Sequence, residues 1–324
     1  MRLLTLLFLL LAAPAVGQRA DTAAYPAADT LYYTEEAVVL HTATGDIHGT
    51  LTIPHRKEPG PVALLIAGSG PTDRDGNSPL IPGANNSLRY LAHRLAKNRI
   101  ASLRFDKRGT GESAKAMKRE IDLRFDDYVA DARAWMALLG ADRRFTRCYV
   151  IGHSEGALIG MLAAEGAKGF VSIAGAGFPA PGILKKQLAA QLPDSLLRPA
   201  GIIIDSLAAG HTVKRAPRQL IALFRPTVQP YLISWFRHDP AQVIPALNMP
   251  VLLLQGDNDL QVDVENASAL KAAAPKATLV VVPGMNHVLK HVEARDADSN
   301  RKAYSDPSLP VEPKVVEAIV KFIR

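Results

Sequence analysis

The stretch Val150-Ile151-Gly152-His153-Ser154-Glu155-Gly156 decides how this chain is read. A serine with glycine two residues to either side follows an apolar run and precedes Ala157-Leu158-Ile159-Gly160-Met161-Leu162-Ala163-Ala164, a helix-forming segment. The pattern is that of a strand turning sharply into a helix. Such a turn strains the backbone at the serine and brings other chain close, so Gly152 and Gly156 leave room while the Ser154 hydroxyl projects outward. The helix N-terminus aims unbonded N–H groups and the positive end of its dipole toward that oxygen. Gly-x-Ser-x-Gly by itself also describes ordinary turns. The strand before it and the helix after it single out Ser154 as a candidate nucleophile.

A serine hydroxyl is a weak nucleophile until a base takes its proton and an acid orients that base. Both partners lie downstream. The apolar run 250–255 ends at Gly256, and the turn after it carries Asp257-Asn258-Asp259, two carboxylates of which one can face the serine. A further apolar run, 277–282, is followed by Gly284-Met285-Asn286-His287, which makes His287 the candidate base. The chain order is serine, aspartate, histidine.

These residues resemble the α/β-hydrolases, and among them the carboxylesterases grouped with serine-aminopeptidase-like (S33-type) hydrolases. The resemblance covers nearly everything after residue 35. Besides the serine turn and the Gly256–Asp259 and Gly284–His287 turns, it rests on Ala67-Gly68-Ser69-Gly70-Pro71-Thr72-Asp73-Arg74-Asp75-Gly76-Asn77 and on Arg104-Phe105-Asp106-Lys107-Arg108-Gly109-Thr110-Gly111-Glu112-Ser113. It implies a mostly parallel eight-stranded sheet with helices on both faces. It places the acid at the last residue of a Gly-x-x-Asp turn, Asp259, and leaves Asp257 to cap its own turn. It implies an oxyanion hole built from the N–H of Glu155 and an N–H of the loop after the third strand, best matched by Ser69 with Gly70 as the alternative; where many relatives carry His-Gly, this chain has Ala67-Gly68. The implied activity is cleavage of small-molecule carboxylic esters through an acyl-enzyme, with no metal and no organic cofactor. Peptide cleavage, acyl transfer to an acceptor other than water and silent ligand binding are the alternatives, because one fold hosts many chemistries.

Other polar residues carry blander readings. Asp73, Arg74 and Asp75 either line the mouth of a pocket or are simply solvated or internally paired, and Asp106, Lys107 and Arg108 are expected to order the loop beside the oxyanion segment. His153 is expected to be structural. His287 and His291 have the spacing of a helical metal pair, but no accompanying carboxylate motif, so no metal site is expected.

The 324 residues, 48% hydrophobic and 21% charged, suit one enzyme-sized domain. The net charge of +7 is spread along the chain without interleaved aromatics, which argues against nucleic acid as a partner. Residues 1–17 read as a signal peptide, with a basic start, an apolar stretch too short to span a membrane and small residues at Ala15 and Gly17. Export to the periplasm or the extracellular space is therefore expected, with no integral membrane span after cleavage; oligomeric state is not legible. The single cysteine, Cys148, is expected to be buried and free of any intramolecular disulfide.

A polar lead-in over 18–34 is expected to precede a hairpin around Gly45-Asp46 (strands near 36–42 and 46–53), after which strands near 61–67, 100–105, 147–151, 169–174, 250–255 and 277–282 alternate with helices near 85–98, 126–139, 154–166, 263–274 and 312–323. This rhythm indicates a parallel sheet covered on both faces. The interval 178–245 is far too long for an ordinary crossover. It reads as an inserted helical lid within a hydrolase domain spanning 35–324.

Overall fold

The computed structural model describes residues 31–324; the expected signal peptide and the first part of the lead-in lie outside the described residues. Eight strands form one sheet in the order β1-β2-β4-β3-β5-β6-β7-β8: β1 (Tyr33–Thr42), β2 (Gly45–Pro54), β3 (Gly60–Ile66), β4 (Ala101–Phe105), β5 (Phe145–His153), β6 (Phe170–Ile173), β7 (Val251–Gly256) and β8 (Thr278–Val282). β2 runs antiparallel to β1 and β4, and every other pairing is parallel. The hairpin turn falls at Ala43-Thr44, with Gly45 opposite Thr42 as the first residue of β2 at φ 136°. The expected turn therefore lies two residues earlier than the glycine suggested.

The sheet is buried on both sides because its central strands carry apolar residues at odd and even positions alike. On β3, Val62, Leu64 and Ile66 face one core while Ala63 and Leu65 face the other. The second core is closed by helices α1 (Ser87–Lys97) and α11 (Pro313–Ile323), which bring Leu91, Leu95, Val315 and Ile319 against Ile151, Val171 and Leu254. The first core is closed by α2 (Phe125–Ala141) and α3 (Glu155–Ala163), through Phe125, Trp135 and Ile159.

The interval between β6 and β7 is helical. It holds α4 (Ala180–Ala189), α5 (Asp194–Ala208), α6 (Ile221–Phe224), α7 (Gln229–Phe236) and α8 (Pro240–Val243). Leu184, Ile204, Leu207, Phe224, Leu232 and Phe236 from these helices belong to the same apolar cluster as Phe125 and Trp135. The insertion is thus welded to the first core through most of its large side chains. After β7 follow α9 (Val264–Ala273), β8 and α10 (Ala297–Tyr304). The sequence reading did not foresee α10, whose Ala-Asp-Ser-Asn-Arg-Lys-Ala-Tyr composition gives no apolar stripe; Asp296 caps it through the N–H groups of Asp298 and Ser299. Cys148 is half-buried against the first core instead of fully buried, because it follows the exposed Thr146 and Arg147 at the entry end of β5.

Candidate active site

Parallel strands deliver their C-terminal ends to one side of a sheet, and the turns after β3, β5, β7 and β8 meet there. At the end of β5, Ser154 takes φ 55° and ψ −122°, a conformation that L residues rarely adopt. The flanking glycines are obligatory. A Cβ on Gly152 would lie 2.2 Å from the Gly156 carbonyl oxygen, and one on Gly156 would lie 2.3 Å from that of Ile66. The Ser154 N–H is held by the Ile173 carbonyl at 2.9 Å, which pins the turn to the neighbouring strand β6.

After β7, the two aspartates part company. Asp257 is exposed and accepts the Gly284 N–H at 2.7 Å, tying its turn to the histidine loop. Asp259 is fully buried, and its Oδ2 accepts from Nδ1 of His287 at 2.7 Å. Its other oxygen accepts the N–H groups of Gln261 and Val262 at 2.7 and 2.9 Å, and Gln255 Nε2 approaches Oδ2 at 3.2 Å. Four donors leave the carboxylate one orientation. His287 and Ser154 then line one cavity together. The two side chains are not hydrogen-bonded to each other here; nucleophile–base contacts are often loose before substrate binds and tighten with it.

His153 has a more specific place than a generic structural residue. Its ring packs on that of His287 with centroids 4.8 Å apart, and its Nε2 lies 2.8 Å from the His287 carbonyl oxygen. Burial, with the neighbouring His287, pushes its pKa down to about 3. A neutral ring must therefore donate from Nε2, holding the main chain beneath the candidate base. His153→Phe keeps the ring volume and deletes that donor, so unfolding free energy in denaturant titration is expected to fall by about 1–3 kcal/mol. An unchanged stability would show that the carbonyl does not depend on this donor.

Asp73, Arg74 and Asp75 line neither cavity at Ser154. Asp73 accepts the N–H groups of Asp75 and Asn77, Arg74 binds Asp106 at 2.8 Å, and Asp75 binds Arg104 at 2.8 Å. Arg74 and Asp75 are thus internally paired, whereas Asp73 is held by main-chain N–H groups alone, and burial beside Asp75 pushes its pKa up to about 7. Asp106 orders this loop as expected, whereas Arg108 turns away to make a two-pronged pair with Asp131 of α2. His291 lies against Glu312 at 3.4 Å, and no cluster of candidate metal ligands occurs among the described residues.

Two cavities flank Ser154. The larger, about 70 Å³, is apolar, with Leu158, Phe178, Ile183, Leu184, Trp235 and Pro240 in its walls. The smaller, about 30 Å³, contains His287 and is lined by Thr72, Ser78, Asn85 and Tyr304. Ser69 borders both. Among the described residues lining them, Glu155 is the sole carboxylate, and neither cavity presents a lysine or arginine.

A strand–serine–helix turn, a buried aspartate–histidine pair and a mostly parallel sheet define an α/β-hydrolase. The chain belongs to the family described as serine aminopeptidase, S33, which it matches over residues 83–293, a span that includes Ser154, Asp259 and His287 and begins after the loop bearing Ser69. It is 27% identical over 256 residues to the esterase EstD of Thermotoga maritima, an alignment covering 74% of this chain. The chain spans only 57% of the length of that relative. Among solved structures it resembles Est1E from Butyrivibrio proteoclasticus (TM-score 0.57, 17% identity, 88% of this chain and 96% of that one). It also resembles an esterase of Pyrococcus furiosus (TM-score 0.57, 16% identity, 97% and 98%). These two likenesses establish the fold.

Proposed function

We propose that this protein is an exported serine hydrolase that cleaves neutral carboxylic esters with short to medium acyl chains, using Ser154 as nucleophile, His287 as base and Asp259 as its orienting acid. The observation that carries the reading is the pairing of the Ser154 site with two cavities whose sole carboxylate, Glu155, is already held by Lys107 and Tyr231. His287 must protonate the departing alcohol, so the alcohol belongs in the smaller cavity on the histidine side. The acyl chain then occupies the larger apolar cavity under α4 and α7, which makes the insertion a lid over the acyl group. The esterase relative supports the same bond type.

In the reaction, His287 deprotonates Ser154 as it attacks the ester carbonyl, and Asp259 stabilises the imidazolium and fixes its tautomer. The developing oxyanion sits at the N-terminus of α3, where the Glu155 N–H, together with one from the Ser69-Gly70 loop, binds it. The imidazolium gives its proton to the alcohol, and water then releases the acid by the same route.

The family description raises the aminopeptidase reading, which differs in one physical requirement: a carboxylate must meet the substrate's ammonium group. Glu155 is the candidate, and both its oxygens are occupied, by Tyr231 at 2.5 Å and by Lys107 at 3.3 Å. The test is a panel of esters of graded acyl length beside matched aminoacyl amides. Each methylene buried in the apolar cavity is expected to add up to about 0.8 kcal/mol, so kcat/KM climbs with chain length and falls once the cavity is full. Faster cleavage of the amides would defeat the ester reading, and a rise continuing through emulsified triglycerides would replace it with a lipase.

A further inference from the structure

Lys107 is one of the largest fully buried side chains of the protein, and it lies behind the catalytic serine. Its ammonium group makes three contacts. It donates to the Gly68 carbonyl oxygen at 2.5 Å, lies 3.3 Å from Glu155 Oε2, and sits 5.2 Å above the Tyr128 ring. Glu155 in turn accepts the Tyr231 hydroxyl of α7. Burial and the adjacent Glu155 push that phenol well above its ordinary range, so it remains a donor.

The first contact matters because of peptide geometry. The Gly68 carbonyl and the Ser69 N–H belong to one amide, and in a trans amide they point in opposite directions. Every peptide bond described here is trans. A cation fixed on the oxygen therefore aims the Ser69 N–H away from itself, toward the face where Ser69 and Ser154 share cavity walls. Withdrawing electron density at the oxygen also makes that N–H a stronger donor. Neither the Ser69 N–H nor the Glu155 N–H has a partner among the described residues. The same ammonium reaches the side chain of Glu155, whose N–H begins α3. One buried charge thus ties together the two chain segments that supply the candidate oxyanion donors.

We propose that Lys107 is the positioning residue of the oxyanion hole, selecting the Ser69 N–H over that of Gly70 and holding it in register with the Glu155 N–H. This rests on the hydrolase reading above. Lys107 lines neither cavity at Ser154, so its effect passes through the Gly68–Ser69 amide. The benefit appears when the carbonyl oxygen becomes an oxyanion, and the neutral ground state gains little.

The experiment compares Lys107→Met with the double variant Lys107→Met/Glu155→Gln, which avoids stranding a buried carboxylate, in protein shown to be folded by thermal unfolding. The double variant is expected to lose about 10²–10³ in kcat with KM changed less than about threefold. Its affinity for an alkyl trifluoromethyl ketone, which forms a tetrahedral oxyanion on Ser154, should fall in parallel with kcat/KM. Tyr231→Phe, which frees Glu155 from the lid but keeps the Lys107–Gly68 contact, should retain most of kcat. A folded double variant with kcat within a few-fold of the parent, or one whose ketone affinity is unchanged, overturns the proposal.

The unaltered protein supplies a second test that needs no variant to fold. In the crystal structure of its covalent adduct with a 4-nitrophenyl ethyl alkylphosphonate, in which Ser154 Oγ has displaced 4-nitrophenolate from phosphorus, the phosphoryl oxygen should accept from the N–H groups of Ser69 and Glu155. Contact with Gly70 in place of Ser69 overturns the Lys107 assignment alone. Failure of any adduct to form at Ser154 removes the hydrolase reading and this inference with it.

Discussion

Ser154→Ala is expected to abolish ester hydrolysis while the protein stays folded. The change deletes one hydroxyl from a half-buried residue whose anchoring bond is made by its main-chain N–H, to Ile173, and is retained. Alanine meets the same backbone strain that serine already bears at φ 55°, so the turn itself does not change. The loss in kcat should be on the order of 10⁴ to 10⁶, as found when triad members that act as a unit are removed. His287→Ala should lose activity comparably. An alanine variant at 154 that keeps a tenth of the parental turnover, with substrate consumption followed directly, would sink the nucleophile assignment.

The second large effect separates two neighbouring carboxylates. Asp259→Asn should lower kcat by roughly 10⁴, because an amide can present N–H to His287 Nδ1 and hold the ring in the wrong tautomer. Asp257→Asn should stay within a few-fold of the parent. Its side chain is exposed, and an asparagine oxygen can accept the Gly284 N–H as the carboxylate does. Should Asp257→Asn be the crippling change, the acid has been placed two residues too late.

Much of this architecture is legible in the chain because its signals are local. The apolar runs of β3, β5 and β7 are continuous, since parallel strands are buried on both faces, and each ends near a glycine or a short polar turn that carries a site residue. What stayed hidden depends on contacts between distant positions. No spacing along the sequence shows that Lys107 meets Gly68, that Tyr231 reaches Glu155, or that His153 supports the carbonyl of His287. One clue was present. A glutamate beside a buried serine turn must find a cation or donors to be tolerated there, and Glu155 finds both. The choice of Asp259 over Asp257 came from the resemblance and from the fitness of Asp257 to cap its own turn; the structure pairs Asp259, and not Asp257, with His287. Helix α10 was invisible for the opposite reason, as its polar sequence carries no periodic apolar stripe.

The apolar cavity beside Ser154 and the first core share walls. Leu158, Ala180 and Leu184 line the cavity and belong to the same packed cluster as Trp135 and Phe224. Shortening either leucine to widen the cavity would cost about 2–5 kcal/mol of folding free energy, a large part of the usual stability of a domain. Phe178, 44% exposed, and the half-buried Ile183 stand at the same cavity with less packing to lose. Substitutions that widen this cavity at least cost in stability are therefore expected at the rim, where the insertion meets solvent, and not at its floor.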